Sequence, residues 1–383
     1  MSLILKERPL FVLGAERSGT TLLMAMLGHH QRIAVPEVVW YYPRFRPYLH
    51  TYGDLSIDVN FRTLAEEMIF GLKTPFWGLN VNPTSFLEEI IHRSPERTFA
   101  GIYAAMHEYY AEQEGKPRWG EKTPHNLYFV GEILEDFPQA QFIFLTRDGR
   151  DASADYLESS FGPTNIYTAA QSWKRAQKAV VSFRTSLKKD QWLDVSYEQL
   201  VRKPAATLQI VTDFLDETYD PNMLNFHQGE IAKRRGNTRD HAPLGGPAST
   251  QYIGIHKTLL SIRDQQIFNW VAGEELIASG YESELEPLPL SEREIARYIE
   301  LDGRYRAASL DAPDGHIVYE SYNDWIIDQR ERRRQVGVWQ DQGQTNFPIG
   351  NPNEEEIIGQ RATRKWKNYF GIKRRYITDK VVL

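Results

Sequence analysis

The stretch FVLGAERSGTTLLMAML, residues 11–27, decides the fold. An apolar β-rich run (PLFVL, 9–13) enters a loop bounded by Gly14 and Gly19 and leaves as the apolar helix TLLMAML. A strand, a glycine-bounded loop and a helix in that order form a phosphate loop: backbone N–H groups collect at the positive end of a helix dipole. The frame is G-x-x-x-x-G-K-[ST], with Thr21 at the final hydroxyl. The lysine that a nucleotide-hydrolysing enzyme aims at its β- and γ-phosphates is absent, and Thr20 stands in its place. The loop carries instead Arg17, a bidentate fork acting from a different point. Such a loop suits a phosphate-like anion that needs no metal.

Working outward, QFIFLT (141–146) is a second apolar strand followed by a helical pattern, and QWLDVSYEQL (191–200) passes from strand to helix. Strands alternating with helices predict a buried parallel sheet. FRTLAEEMIFGL, TFAGIYAAMHEYYAEQEG, ATLQIVTDFLDE and SIRDQQIFNWVAGEELIASGY are spaced as amphipathic helices. The fold expected is α/β, three-layered and P-loop-like, with a central parallel sheet flanked by helices. Residues 38–60 are crowded with aromatics and prolines and read as loop or short helices; 234–256 read as a Gly/Pro/basic loop. Two regions are expected: a domain over 1–285 and a partly helical C-terminal extension over 286–383, packed on the core. In the extension DWIIDQRERRRQ is strongly charged, QDQGQTNFPIGNPNEEE is loop-like, and RATRKWKNYFGIKRRYI is basic and aromatic.

The 383 residues carry a formal net charge of −6, which argues against nucleic acid as a partner while leaving room for a local basic pocket. With no cysteine, disulfides, thiolate zinc sites and a cysteine nucleophile are excluded. No apolar run approaches the length of a membrane span, and the N-terminal residues lack a signal-peptide pattern, so a cytoplasmic protein is expected. The oligomeric state stays open.

The loop GAERSGTT resembles that of the sulfotransferases that use 3′-phosphoadenosine 5′-phosphosulfate (PAPS) and release 3′-phosphoadenosine 5′-phosphate (PAP). Their R/K-S-G-T-T sequence holds the 5′-phosphosulfate. The pattern is most similar to that of the protein-tyrosine and bacterial branch. The resemblance spans about residues 9–285 and implies that Arg17, Ser18, Gly19, Thr20, Thr21 and Leu22 bind the donor. FIFLTRDGRDASADYLESS resembles the family's 3′-phosphate segment and implies a role for Arg147. The family's serine eight residues on is here Asp155, an anion where a phosphate is expected, so Ser153 and Ser159 are candidate replacements. DVSYEQLVRKPAATLQIVTDFLDE implies nucleotide contact by Tyr197, AKRRGN by Arg234, Arg235 and Gly236, and GPASTQYIG by Ser249 and Thr250.

Sulfuryl transfer needs a base for the acceptor proton and cations at the transferring group and the leaving oxygen. Glu37 is the candidate base, preferred to His29 and His30 at the end of the loop helix. Arg17 and Lys122 of RWGEKTPHN are the candidate cations, and Glu121 is placed to orient Lys122 or to meet the acceptor. The expected function is sulfuryl transfer from PAPS to a hydroxyl of a small molecule, glycan, lipid or peptide, without metal. Trp40, Tyr41, Tyr42, Phe45 and Tyr48 either line an acceptor pocket or pack in the core. Two other readings stay open. A P-loop nucleotide kinase or NTPase has Thr20 against it; a nucleotide-binding module without catalysis is kept alive by Asp155.

Overall fold

The computed structural model describes residues 5–70, 72, 75–159, 161–236, 238–309, 316–335 and 337. The readings made above for the stretches beyond 338 lie outside these residues. Five strands form an all-parallel sheet: β1 (Leu10–Leu13), β2 (Ile33–Ala34), β3 (Arg118–Glu121), β4 (Gln141–Thr146) and β5 (Trp192–Ser196). Their order is β2-β3-β1-β4-β5, so the chain reverses its direction of travel across the sheet beside β1. The crevice outside the carboxyl ends of the strands at such a reversal is where open α/β sheets bind ligands. The phosphate loop emerges there.

Both sheet faces are covered, and the central strands β1 and β4 are accordingly dominated by apolar residues. Successive residues of a strand point to opposite faces. Phe11, Leu13, Phe142 and Phe144 join one core with the helices Phe99–Gln113, Ile166–Ser186 and Ile262–Ala278. Leu10, Val12, Ile143, Leu145 and Val195 join a second with helix α1 (Thr20–Gly28) and the helices Tyr197–Arg202 and Pro204–Phe214.

Of the aromatics in 38–60, Tyr41, Tyr42 and Phe45 are fully buried in the first core. Tyr48 is half-buried under the Arg330 guanidinium, 3.7 Å from its ring centroid. Trp40 is half-buried, with its ring 4.3 Å from that of His125.

Beyond residue 286, helices run over Glu292–Ser309 and His316–Gln335. Leu290 and Ile326 belong to the first core. The run RERRR is not simply a solvated face: Arg330 is buried and donates to the Arg44 carbonyl, and Arg333 donates to Glu67 Oε1 at 2.6 Å and to the Thr51 carbonyl at 3.0 Å.

Candidate active site

Gly14 and Gly19 are required by close approach. A Cβ on Gly14 would lie 2.6 Å from the Leu145 carbonyl oxygen, and one on Gly19 would lie 2.5 Å from the Tyr197 ring. Gly19 caps α1 with φ of 90°, in the left-handed region that favours glycine. Arg17 also has a positive φ, 64°, a conformation costly for a side-chain-bearing residue and concentrated at ligand sites. Ser18 is wholly buried, and its Oγ has no hydrogen-bond partner among the described residues. A buried hydroxyl left unpaired inside a glycine-bounded loop at a helix N-terminus fits a bound anion, which would accept from it. Thr20 is buried and Thr21 half-buried in the first turn of α1. Leu22 turns its side chain into the second core, and its N–H donates to the Gly19 carbonyl.

Next along the sheet, Arg147 leaves the end of β4. It donates to the Arg17 carbonyl at 2.7 Å, to the Tyr252 carbonyl at 2.8 Å and to Asp155 Oδ2 at 2.8 Å. Its guanidinium lies 4.7 Å from the centroid of the Tyr197 ring, which itself closes over Gly19. Asp155 thus faces Arg147. Of its proposed replacements, Ser159 donates to the Tyr156 carbonyl at 2.8 Å. Ser153 is buried against a small cavity with Ala15, Glu16 and Trp173.

On the other side of β1, Lys122 follows β3 and is buried. Glu37 follows β2 and is also buried; its carboxylate is held by Arg234 and Arg235, one oxygen to each, and its carbonyl accepts from Trp77 Nε1 at 3.0 Å. These arginines end a short helix, Glu230–Arg235, and stand at the start of the region read as loop. Gly236 caps it, packed so closely that a Cβ would lie 2.8 Å from Gly245 Cα. Ser249 spends its Oγ on the Gln251 N–H at 3.3 Å, and Thr250 is exposed.

His29 and His30 lie at the far end of α1, about 13 Å from the loop at 1.5 Å rise per residue. His30 has both ring nitrogens engaged, Nε2 with the Thr218 carbonyl at 2.8 Å and Nδ1 with the Arg32 N–H at 3.1 Å. The structure therefore brings Glu37, and neither histidine, toward the loop's cations.

His241 was not singled out in the sequence. It lies 3.2 Å from Arg235, and its pKa is pushed down to about 3, first by burial and then by the charges of Arg235, Lys122 and Arg17. Those three cations, from three separate stretches of chain, therefore all lie within electrostatic reach of His241. The only signal in the sequence was position, six residues after Arg235 in the same basic loop.

Glu121 is buried. It accepts from Thr123 Oγ1 and Asn126 Nδ2, bracing the turn that carries Lys122. Burial pushes its carboxyl up to about 7 from 4.5, against the opposing pull of Thr123 and Lys122. Between those values the folded protein keeps a proton that the unfolded chain has released. Stability should therefore fall as pH rises through that window, by on the order of 2–3 kcal/mol from this group. Urea melts at about pH 5 and pH 8 should show the loss, and Glu121→Gln should flatten it. An unchanged slope in that variant would assign the pH dependence elsewhere.

Among the described residues no group of three or more histidines, aspartates and glutamates could hold a metal ion, and no helix is long and apolar enough to cross a membrane.

A profile described as the sulfotransferase family matches residues 9–221. The chain is 25% identical to a protein-tyrosine sulfotransferase of Drosophila melanogaster over 60% of its own length and 42% of that protein. It is 25% identical to protein-tyrosine sulfotransferase A of Caenorhabditis elegans, over 57% of this chain and 52% of that one. The chain thus spans about half the length of these two relatives. The solved sulfotransferase domain of the Synechococcus PCC 7002 olefin synthase superposes with a TM-score of 0.51 at 18% identity, covering 73% of this chain and 97% of that one. This likeness shows the fold.

Proposed function

The chain belongs to the sulfotransferase family, a family of PAPS-dependent enzymes, and from that membership and the site's geometry we propose that it transfers the sulfuryl group of PAPS to an acceptor hydroxyl by in-line displacement, releasing PAP. The observation that carries the reading is a phosphate loop that lacks the NTPase lysine and holds the buried, unpaired Ser18 Oγ, with Arg17, Lys122 and Arg235 all within electrostatic reach of His241 nearby.

The residues present fit the donor. Ser18 Oγ is an orphaned buried hydroxyl, and the loop's curvature is fixed by the close packing of Gly14 on the Leu145 carbonyl and of Gly19 on the Tyr197 ring. Arg17, Ser18, Gly19, Thr20 and Thr21 would hold the 5′-phosphosulfate, with Leu22 setting the helix behind them. Arg147 and Tyr197, after β4 and β5, would hold the nucleoside end. Arg234, Arg235 and Gly236 would close over it, and Ser249 and Thr250 flank the Tyr252 carbonyl that fixes Arg147. When bound, the donor supplies a sulfuryl group on a phosphate-linked leaving oxygen.

The chain's own groups then divide the work. Lys122 and Arg17 offer fixed positive charge to oxygens whose negative charge grows during transfer. Glu37 takes the acceptor proton. In the pose observed both its oxygens are occupied by guanidiniums. Arg234 and Arg235 must turn to the anionic donor before Glu37 can face a hydroxyl, which favours donor binding first. Trp40, half-buried beside His125, is the aromatic best placed to meet an acceptor. Tyrosine in a peptide is the first acceptor to test, since two relatives are protein-tyrosine sulfotransferases; glycan, lipid and small-molecule hydroxyls complete the panel.

Calorimetry with a chelator present tests the donor. PAP is expected to bind without metal and at least tenfold more tightly than ATP with Mg²⁺. Equal affinity for the two would sink the reading in favour of a nucleotide kinase. Labelled PAPS with the acceptor panel tests the transfer. PAP binding without transfer to any hydroxyl would leave a binding module.

A further inference from the structure

Asp155 sits between two guanidiniums that reach it from different parts of the fold. Arg17, from the phosphate loop, sends Nε and a terminal nitrogen to Oδ1 at 2.9 and 2.6 Å. Arg147, from the end of β4, sends a terminal nitrogen to Oδ2 at 2.8 Å. Both arginines are fixed further, Arg17 on the Asp240 carbonyl at 2.6 Å and Arg147 on the carbonyls of Arg17 and Tyr252. All three side chains are largely sequestered from water, at 11%, 3% and 18% exposed for Arg17, Arg147 and Asp155. Two anchored guanidinium forks converging beside a phosphate loop are how proteins hold an oxyanion. Here the oxyanion is the chain's own carboxylate.

The position of this cluster says which part of a nucleotide it meets. Glu37 and Lys122 follow β2 and β3, on one side of β1. Arg147 and Tyr197 follow β4 and β5, on the other. The acceptor and the transferred group belong to the first side, and the nucleoside end to the second. Resting on the donor reading above, we propose that Asp155 is a built-in competitor for the 3′-phosphate: it occupies Arg147, the arginine that phosphate would use, and so lowers the site's preference for a 3′-phosphorylated nucleotide over the same nucleotide without it. The physical reason is charge. Two guanidiniums and one carboxylate leave a single net positive charge for an incoming phosphate. The carboxylate oxygens also stand on the donors the phosphate needs, and like charges this close repel.

The test is calorimetric titration of PAP and of 5′-AMP, which lacks the 3′-phosphate, into the full chain and into Asp155→Asn, Asp155→Ser and Arg147→Ala. The quantity read is the ratio of the two dissociation constants, AMP over PAP. Asp155→Asn keeps the size and removes the charge. It and Asp155→Ser are expected to raise the ratio at least tenfold; release of Arg17 to the 5′-phosphate that both nucleotides carry shifts the two affinities alike and cancels in the ratio. Arg147→Ala is expected to lower it. An unchanged ratio in both Asp155 variants, with PAP still bound, would overturn the competitor role and make Asp155 a structural pin for Arg17. Failure of PAP to bind any of the four proteins would overturn the donor reading itself.

Discussion

Replacing Glu37 by glutamine is expected to reduce turnover by roughly 10²–10⁴-fold at saturating acceptor, the range lost with a general base. PAP affinity should hold or tighten. Arg234 and Arg235 each give Glu37 one charge-assisted hydrogen bond, and the amide releases them to the donor's phosphates. The opposite signs on turnover and affinity separate a base from a residue that only supports the fold, whose loss would weaken both. The measurement pairs initial rates on an acceptor found in the panel with PAP titrations. Full turnover in Glu37→Gln would remove Glu37 from the chemistry and turn attention to His241, which lies beside Arg235.

Lys122→Ala should cost roughly 10²–10³-fold in turnover, the scale lost when one fixed donor is removed from a developing negative charge. Lys122 is buried at the end of β3, and its turn is braced by Glu121 through Thr123 and Asn126. Its ammonium is therefore held in place before reaction and pays little reorganisation during it. The decisive comparison is the rate constant at saturation against PAP affinity. A loss confined to the rate constant, with PAP dissociation changed less than about tenfold, fits a cation acting on the transferring group. A loss found wholly in PAP affinity would make Lys122 a ground-state phosphate ligand.

Much of this site was legible because local sequence carried it. The phosphate loop spans eight residues between a strand and a helix, so the glycine spacing, the missing lysine at Thr20 and the arginine at position 17 could be read directly. The strand at 141–146 and the amphipathic helices announced themselves by periodicity. β3 did not. RWGE is four residues long and begins with an arginine, which passes as a surface residue until its guanidinium is seen buried on the Leu215 carbonyl and the Gln141 side chain. The basic stretch at 234–256 looked like a loop; its first two residues, Arg234 and Arg235, in fact end a short helix and grip Glu37. RERRR read only as a strongly charged run, and nothing in it showed that Arg330 and Arg333 are spent on partners more than 260 residues earlier. Pairings at such separations leave no trace in local spacing.

Sequence alone determined the parallel α/β sheet, the phosphate loop, the absence of cysteine chemistry and the set of residues from which a donor site could be built. It also marked Asp155 as out of place without saying what it does. Tertiary structure decided the rest: that Glu37 rather than His29 or His30 approaches the cations, that His241 lies among them, and that Asp155 is gripped by Arg17 and Arg147. The reason is geometric. The sheet order sets β2 and β3 on one side of the loop and β4 and β5 on the other. Residues up to 223 positions apart thus meet at one carboxyl edge, and the strength and meaning of a charge there depend on which other charges share its few ångströms of low-dielectric space.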